Sequence, residues 1–147
     1  MTKIKILAFF LALTTCCYSQ ENSDDIIKRF FDTFQNNTDK AIDDIYKTNT
    51  WTSEMGDAIN TLKKTIRGYP TEMGKYYGYE LITKQKCTDR FLLYAFIARY
   101  DRQPMKIVFE LYKPDDKWFL YALNFSPDID NDVETAAKSY MQSPSQK

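Results

Sequence analysis

The sequence predicts an α+β fold in two layers, with N-terminal helices covering one face of a four-stranded antiparallel meander. Apolar residues recur at helical spacing through the first half of the chain and at every second position through the second half. The alternating segments are separated by turns of only a few residues, so each strand pairs antiparallel with its sequence neighbour. The apolar face of such a sheet must be buried, and the helices are what the chain has to bury it.

The elements follow in order. Ser23 is a plausible N-cap, with Asp24 and Asp25 where the helix dipole favours negative charge, and Ile26, Ile27, Phe30, Phe31 and Phe34 form one face. "QNNTD" ends that helix. Asp39 caps a second, in which Ala41, Ile42, Ile45 and Tyr46 face inward while Lys40, Asp43, Asp44 and Lys47 face water. "TNT" ends the second helix. A third runs from about Thr52, carries Met55, Ile59, Leu62 and Ile66 inward, and stops at Gly68 with Pro70 just beyond. Gly56 within it marks a place of close packing.

In "KYYGYELITKQKC", Tyr77, Tyr79 and Leu81 share one strand face, while Tyr76, Gly78, Glu80, Ile82 and Lys84 share the other, more polar one. "RFLLYAFIARY" is apolar on both faces, as a central strand covered on both sides would be. "MKIVFELYK" has one buried face, Met105, Ile107, Phe109 and Leu111. The last strand spans Trp118 to Ser126, between the "PDDK" turn and an acidic tail in which Val133 to Met141 form a short helix. The expected organisation is a leader over residues 1–19, one domain over 24–128 and a tail over 129–147 that frays at its end.

The leader rests on Lys3 and Lys5 followed by the apolar run Ile6 to Leu13, which is too short to span a bilayer at about 20 residues. Cys17 and Ser19 suit a signal-peptidase cut before Gln20. "LTTC" resembles a lipobox, which would instead make Cys16 a lipid anchor. Either cut places the domain outside the cytoplasm, free in the periplasm or medium, or held at a membrane. No transmembrane span is expected.

Without the leader, 18 basic residues face 20 acidic ones, and no basic stripe invites nucleic acid. The chain has no histidine, which removes the usual general base, the Ser–His–Asp and Cys–His hydrolytic arrangements, and most zinc catalysis. Cys87 is left without a partner once Cys16 and Cys17 go, and reads as a small residue near a strand end. "DIDNDVE" suggests a calcium loop at Asp128, Asp130 and Asp132, but Val133 stands where the loop needs Gly and Ser139 where it needs Glu. Asn36 and Asn124 begin sequons that have meaning only in a eukaryotic secretory route. No metal and no cofactor is expected.

Three helices followed by a four-stranded meander, the last strand the aromatic-rich "KWFLYALNFS", resemble the nuclear transport factor 2-like superfamily over roughly residues 24 to 126. The resemblance implies a curved sheet that encloses a pocket with the helices. Members use it for binding, for dimer formation, or for catalysis of the ketosteroid isomerase type.

Aromatic residues make up 16% of the chain. Most can build the core, but a pocket lined by Phe31, Phe34, Phe91, Leu93, Phe109 and Tyr121 would take a small apolar or aromatic ligand, with tyrosine hydroxyls as its polar groups. Arg99, at the end of the central strand, would clamp a carboxylate at the mouth or pair with Asp101 or Glu110. An acid–base enzyme would need a carboxylate in apolar surroundings, and Glu80 and Glu110 with Tyr94, Tyr112 and Tyr121 are the candidates; Glu80 also reads as a surface partner of Lys84. No residue is assigned a catalytic role. The function expected is therefore a binding domain for a small apolar ligand or a protein partner. A second copy is one such partner, meeting the sheet around Tyr76, Ile82, Val108 and Tyr112.

Overall fold

The computed structural model describes residues 22–142; the expected leader, with Cys16, and the last five residues lie outside them. The fold is α+β: α1 (Ser23–Phe34), α2 (Thr38–Tyr46), a 3-10 turn (Thr50–Met55), α3 (Gly56–Met73), then β1 (Tyr76–Thr88), β2 (Phe91–Tyr100), β3 (Met105–Tyr112), β4 (Phe119–Ser126) and α4 (Asp130–Gln142). The sheet is an open antiparallel meander in the order β1-β2-β3-β4. Among the described residues no helix is long and apolar enough to cross a membrane.

The first two helices are capped earlier than expected, α1 by one residue and α2 by two. Asn22, not Ser23, caps α1, its side-chain oxygen accepting from the amides of Asp24 at 2.6 Å and Asp25 at 3.3 Å. Ser23 is buried, and its hydroxyl lies 2.8 Å from that of Tyr94. Asn37 caps α2, which leaves Asp39 to receive the Arg67 guanidinium from α3 at 2.9 and 3.0 Å. The end of α2 is tied to β4: the Leu120 amide donates to the Thr48 hydroxyl, and the Asn49 side chain donates to the Leu120 carbonyl, both at 2.9 Å.

Helix α3 departs most from expectation. It runs through Gly68 and Pro70 to Met73, because Tyr69 and Met73 are buried and their burial outweighs the local penalties of Gly and Pro. Its inward stripe deepens along the helix, from half-buried Ile59 and Leu62 to buried Ile66, while Met55, expected at its start, is exposed in the preceding 3-10 turn. Gly56 marks no close packing, since a Cβ there would meet nothing within 4 Å. Gly74 is the true stop. It adopts φ +85°, and a Cβ would lie 2.6 Å from the Asp101 side chain. Helix α4 begins at Asp130, three residues before the expected start.

The core lies between the helices and one sheet face. Phe30 and Phe31 from α1 meet Phe109 of β3, and Phe31 meets Phe96 of β2, with ring centres 4.9 Å apart for Phe30–Phe109 and 4.8 Å for Phe31–Phe96, while Phe34 meets Tyr76 of β1 and Phe125 of β4. Irregularities in two strands change their parity. In β1, register shifts next to Tyr77 and Ile82 turn Tyr76, Tyr79, Leu81 and Lys84 to the helix side and leave Gly78, Glu80 and Thr83 on the other. In β4, a shift opposite Glu110 and Leu111 leaves Tyr121 unpaired and 62% exposed on the outer face.

Candidate functional site

The seven expected pocket residues do not line one space. Phe31, Phe34 and Phe109 are buried on the helix side, packed against other rings. Phe91, Leu93, Arg99 and Tyr121 stand on the opposite face by strand parity, where Phe91 touches Tyr112 and Tyr121 at 6.3 and 5.6 Å between ring centres. The sheet itself lies between the two groups. Arg99 is joined to Glu80 at 3.3 Å and donates to the Tyr77 carbonyl at 3.2 Å, in place of Asp101 or Glu110. Lys84 accordingly serves not Glu80 but Asp24, at 2.7 Å. The residues expected to meet a second copy are divided as well: Val108 and Tyr112 lie on the outer face, Tyr76 faces the helices, and Ile82 projects at a bulge.

Neither candidate carboxylate is enclosed. Glu80 is 68% exposed, and Glu110 is half-buried on the outer face. Tyr94 belongs to a different cluster, where its hydroxyl meets Ser23 and Asp24 at 2.8 Å while the Lys84 ammonium lies 5.1 Å from its ring centre. The hydrogen bond from Lys84 holds the Asp24 carboxyl below the usual carboxylate range, and Asp24 in turn raises Lys84. That cluster fastens the start of α1 to β1 and β2. Among the described residues no group of acidic or cysteine side chains is placed to hold a metal; Asp132 pairs with Lys106, and Asp128 accepts from Asn131. Cys87 is free and exposed.

The concavity that the fold does form lies at one end of the helix–sheet seam. It has a volume of about 250 Å³ and is walled by Phe34 at the end of α1, Ile66 and Pro70 of α3, Tyr76 at the start of β1 and Tyr100 at the end of β2. Gln35, Thr38 and Arg67 contribute its polar groups. A second, more open and more polar hollow of about 370 Å³ adjoins it, and Gln35 and Tyr76 are walls of both. Local sequence explains the position. α1 ends at Phe34, α2 begins at Thr38, and β1 starts just after Gly74, so three element ends border the cavity.

The two tyrosines at this seam are held neutral. Burial pushes the Tyr100 hydroxyl up to about 12, and burial pushes Tyr76 higher still. Their rings are 5.4 Å apart, and Tyr76 also meets Phe34 edge-on at 5.7 Å. The Tyr76 hydroxyl is shut off from solvent and has no hydrogen-bond partner among the described residues, a state that costs on the order of 1–3 kcal/mol. Of the seven residues expected from sequence, Phe34 lines this cavity; Tyr76 and Tyr100 were missed as pocket residues. Their signal was available, since both stand next to a chain reversal at the same end of paired strands.

Compared with known proteins, the chain matches no family model, and neither the curated proteins nor the solved structures searched contain a match.

Proposed function

We propose that this chain is an exported binding domain of the nuclear transport factor 2-like type, which takes a small, largely apolar ligand into the cavity at the α1/α3–β1/β2 seam. One observation carries the reading: an aromatic and aliphatic concavity of about 250 Å³, walled by Phe34, Ile66, Tyr76 and Tyr100. Its size approaches the lower end of small-molecule sites, about 300 Å³, and apolar walls with few polar groups are their usual composition. Helices followed by a meander support the superfamily reading, and Lys3, Lys5 and the apolar run after them support export.

The test is a fluorescence titration of the purified protein with N-phenyl-1-naphthylamine, a neutral apolar dye. Saturable enhancement is expected, and Thr38→Trp, which places an indole among the cavity's polar groups, should weaken binding at least tenfold while circular dichroism stays unchanged. Absence of saturable enhancement, or binding indifferent to Thr38→Trp, would overturn the proposal.

A further inference from the structure

The two hollows at the seam share two lining residues. Tyr76 and Gln35 border both the inner cavity and the more open one beside it, which is lined further by Asn36, Lys75, Tyr77 and Gly78. The inner hollow is predominantly apolar; the outer one presents amides and a cation. Lys75 supplies that cation. Its ammonium lies 5.2 Å from the centre of the Tyr77 ring, and among the described residues no carboxylate stands within ion-pair distance of it. Asp101, at the same corner, accepts from the Lys75 amide at 2.7 Å and the Tyr77 hydroxyl at 2.6 Å, and the Lys75 charge acts on its carboxylate from beyond ion-pair distance.

Tyr76 is also the least settled group of the seam. Its hydroxyl has lost water without gaining a partner, whereas the buried Tyr94 hydroxyl has two. A rotation that brought the phenol into the outer hollow would restore its hydrogen bonding and join the two spaces into one channel, apolar inside and cationic outside. The backbone on either side is held, since Tyr76 pairs with Tyr100 and Lys75 exchanges bonds with Asp101, so the adjustment is a turn of the phenol side chain alone.

We propose that Tyr76 is a movable partition, and that the ligand is an elongated anionic amphipath, such as a medium-chain carboxylate. Its tail occupies the inner cavity against Phe34, Ile66 and Tyr100, and its head group lies beside the Lys75 ammonium. This rests on the inner cavity being a ligand site, and deepens that reading by naming the ligand class and the second half of the site.

Displacement of bound N-phenyl-1-naphthylamine by decanoate and by decanol separates the two claims. Decanoate should displace the dye about three- to fivefold more effectively than decanol, the gain expected of one solvent-exposed charge pair. Lys75→Gln should remove that difference and leave decanol unchanged. Tyr76→Ala, which joins the hollows in advance, should bind decanoate more tightly than the native protein. Should that variant fail to fold, 3-fluorotyrosine incorporation gives the second measurement: among the tyrosine ¹⁹F signals, the one that Tyr76→Phe removes should shift with decanoate and stay in place with the dye alone. If the dye itself does not bind, the cavity reading falls and this inference with it. If the dye binds but decanoate and decanol compete equally, or Lys75→Gln changes neither, the cavity reading stands and the amphipath proposal is overturned.

Discussion

Tyr100 closes β2 beside Tyr76, and burial holds its hydroxyl neutral up to about pH 12, against 10.0 for an ordinary tyrosine. The consequence has a definite sign. Above about pH 10 the unfolded chain gives up this proton while the native state keeps it, so stability that is complete below that pH is lost as the pH rises toward 12. Urea midpoints measured between pH 9 and 12 should fall, and should fall less steeply in Tyr100→Phe; identical slopes for the two proteins would show that this hydroxyl is not held by the seam. At this scale the sequence was legible only in part. The run from Phe91 to Ala98 is apolar on both parities, so nothing in it tells whether Phe91 and Leu93 or Leu92 and Tyr94 face the helices. The structure shows it is the latter, and Phe91 and Leu93 thereby leave the expected pocket. β3, with polar residues at alternate positions, carried no such ambiguity, and Phe109 is buried as expected.

Among the elements, α3 shows most clearly how packing overrides local preference. Gly68 and Pro70 read as a stop, and would be one in an isolated helix, where the proline alone costs about 3 kcal/mol. Tyr69 and Met73 are buried on the same helix, however, and carrying the helix past the proline is the way Met73 joins Tyr69 in the core. The beginning of the helix is under no such demand. Gly56 has ordinary helical angles, φ −51° and ψ −44°, and open space where a Cβ would be. Gly56→Ala should therefore stabilise the protein by about 0.4–1 kcal/mol, mainly by restricting the unfolded chain. A rise in urea midpoint at constant slope is the expected result; a fall would mean that the junction with the preceding 3-10 turn needs glycine after all. The bulges of β1 and β4 were the elements' hidden feature. No residue type announces them, yet each reverses parity, which moves Lys84 to the helix side and Tyr121 away from it.

Across the whole molecule, helices and sheet share one core, and their stabilities should be inseparable. Phe109 is the residue that joins them. It is fully buried in β3, with its ring centre 4.9 Å from that of Phe30 and 5.7 Å from that of Phe31 on α1, and 5.9 Å from that of Phe96 on β2. Phe109→Ala opens a cavity among these rings and should cost about 3–5 kcal/mol, a large part of the 5–15 kcal/mol typical of a domain. How that loss is distributed distinguishes a single cooperative unit from two stacked layers. Far-UV circular dichroism reports mainly the helices, while the half-buried Trp118, packed against the core where the chain enters β4, reports the sheet. If α1 and β3 melt together, the two urea transitions coincide in the native protein and still coincide, at a lower midpoint, in Phe109→Ala. Separation of the two curves in the variant would mean that the helix layer has its own source of stability. The α2–β4 bonds through Thr48 and Asn49 oppose that separation, because they fasten the helices to the far strand independently of the aromatic cluster. Coincident curves at a lowered midpoint are accordingly the expected outcome.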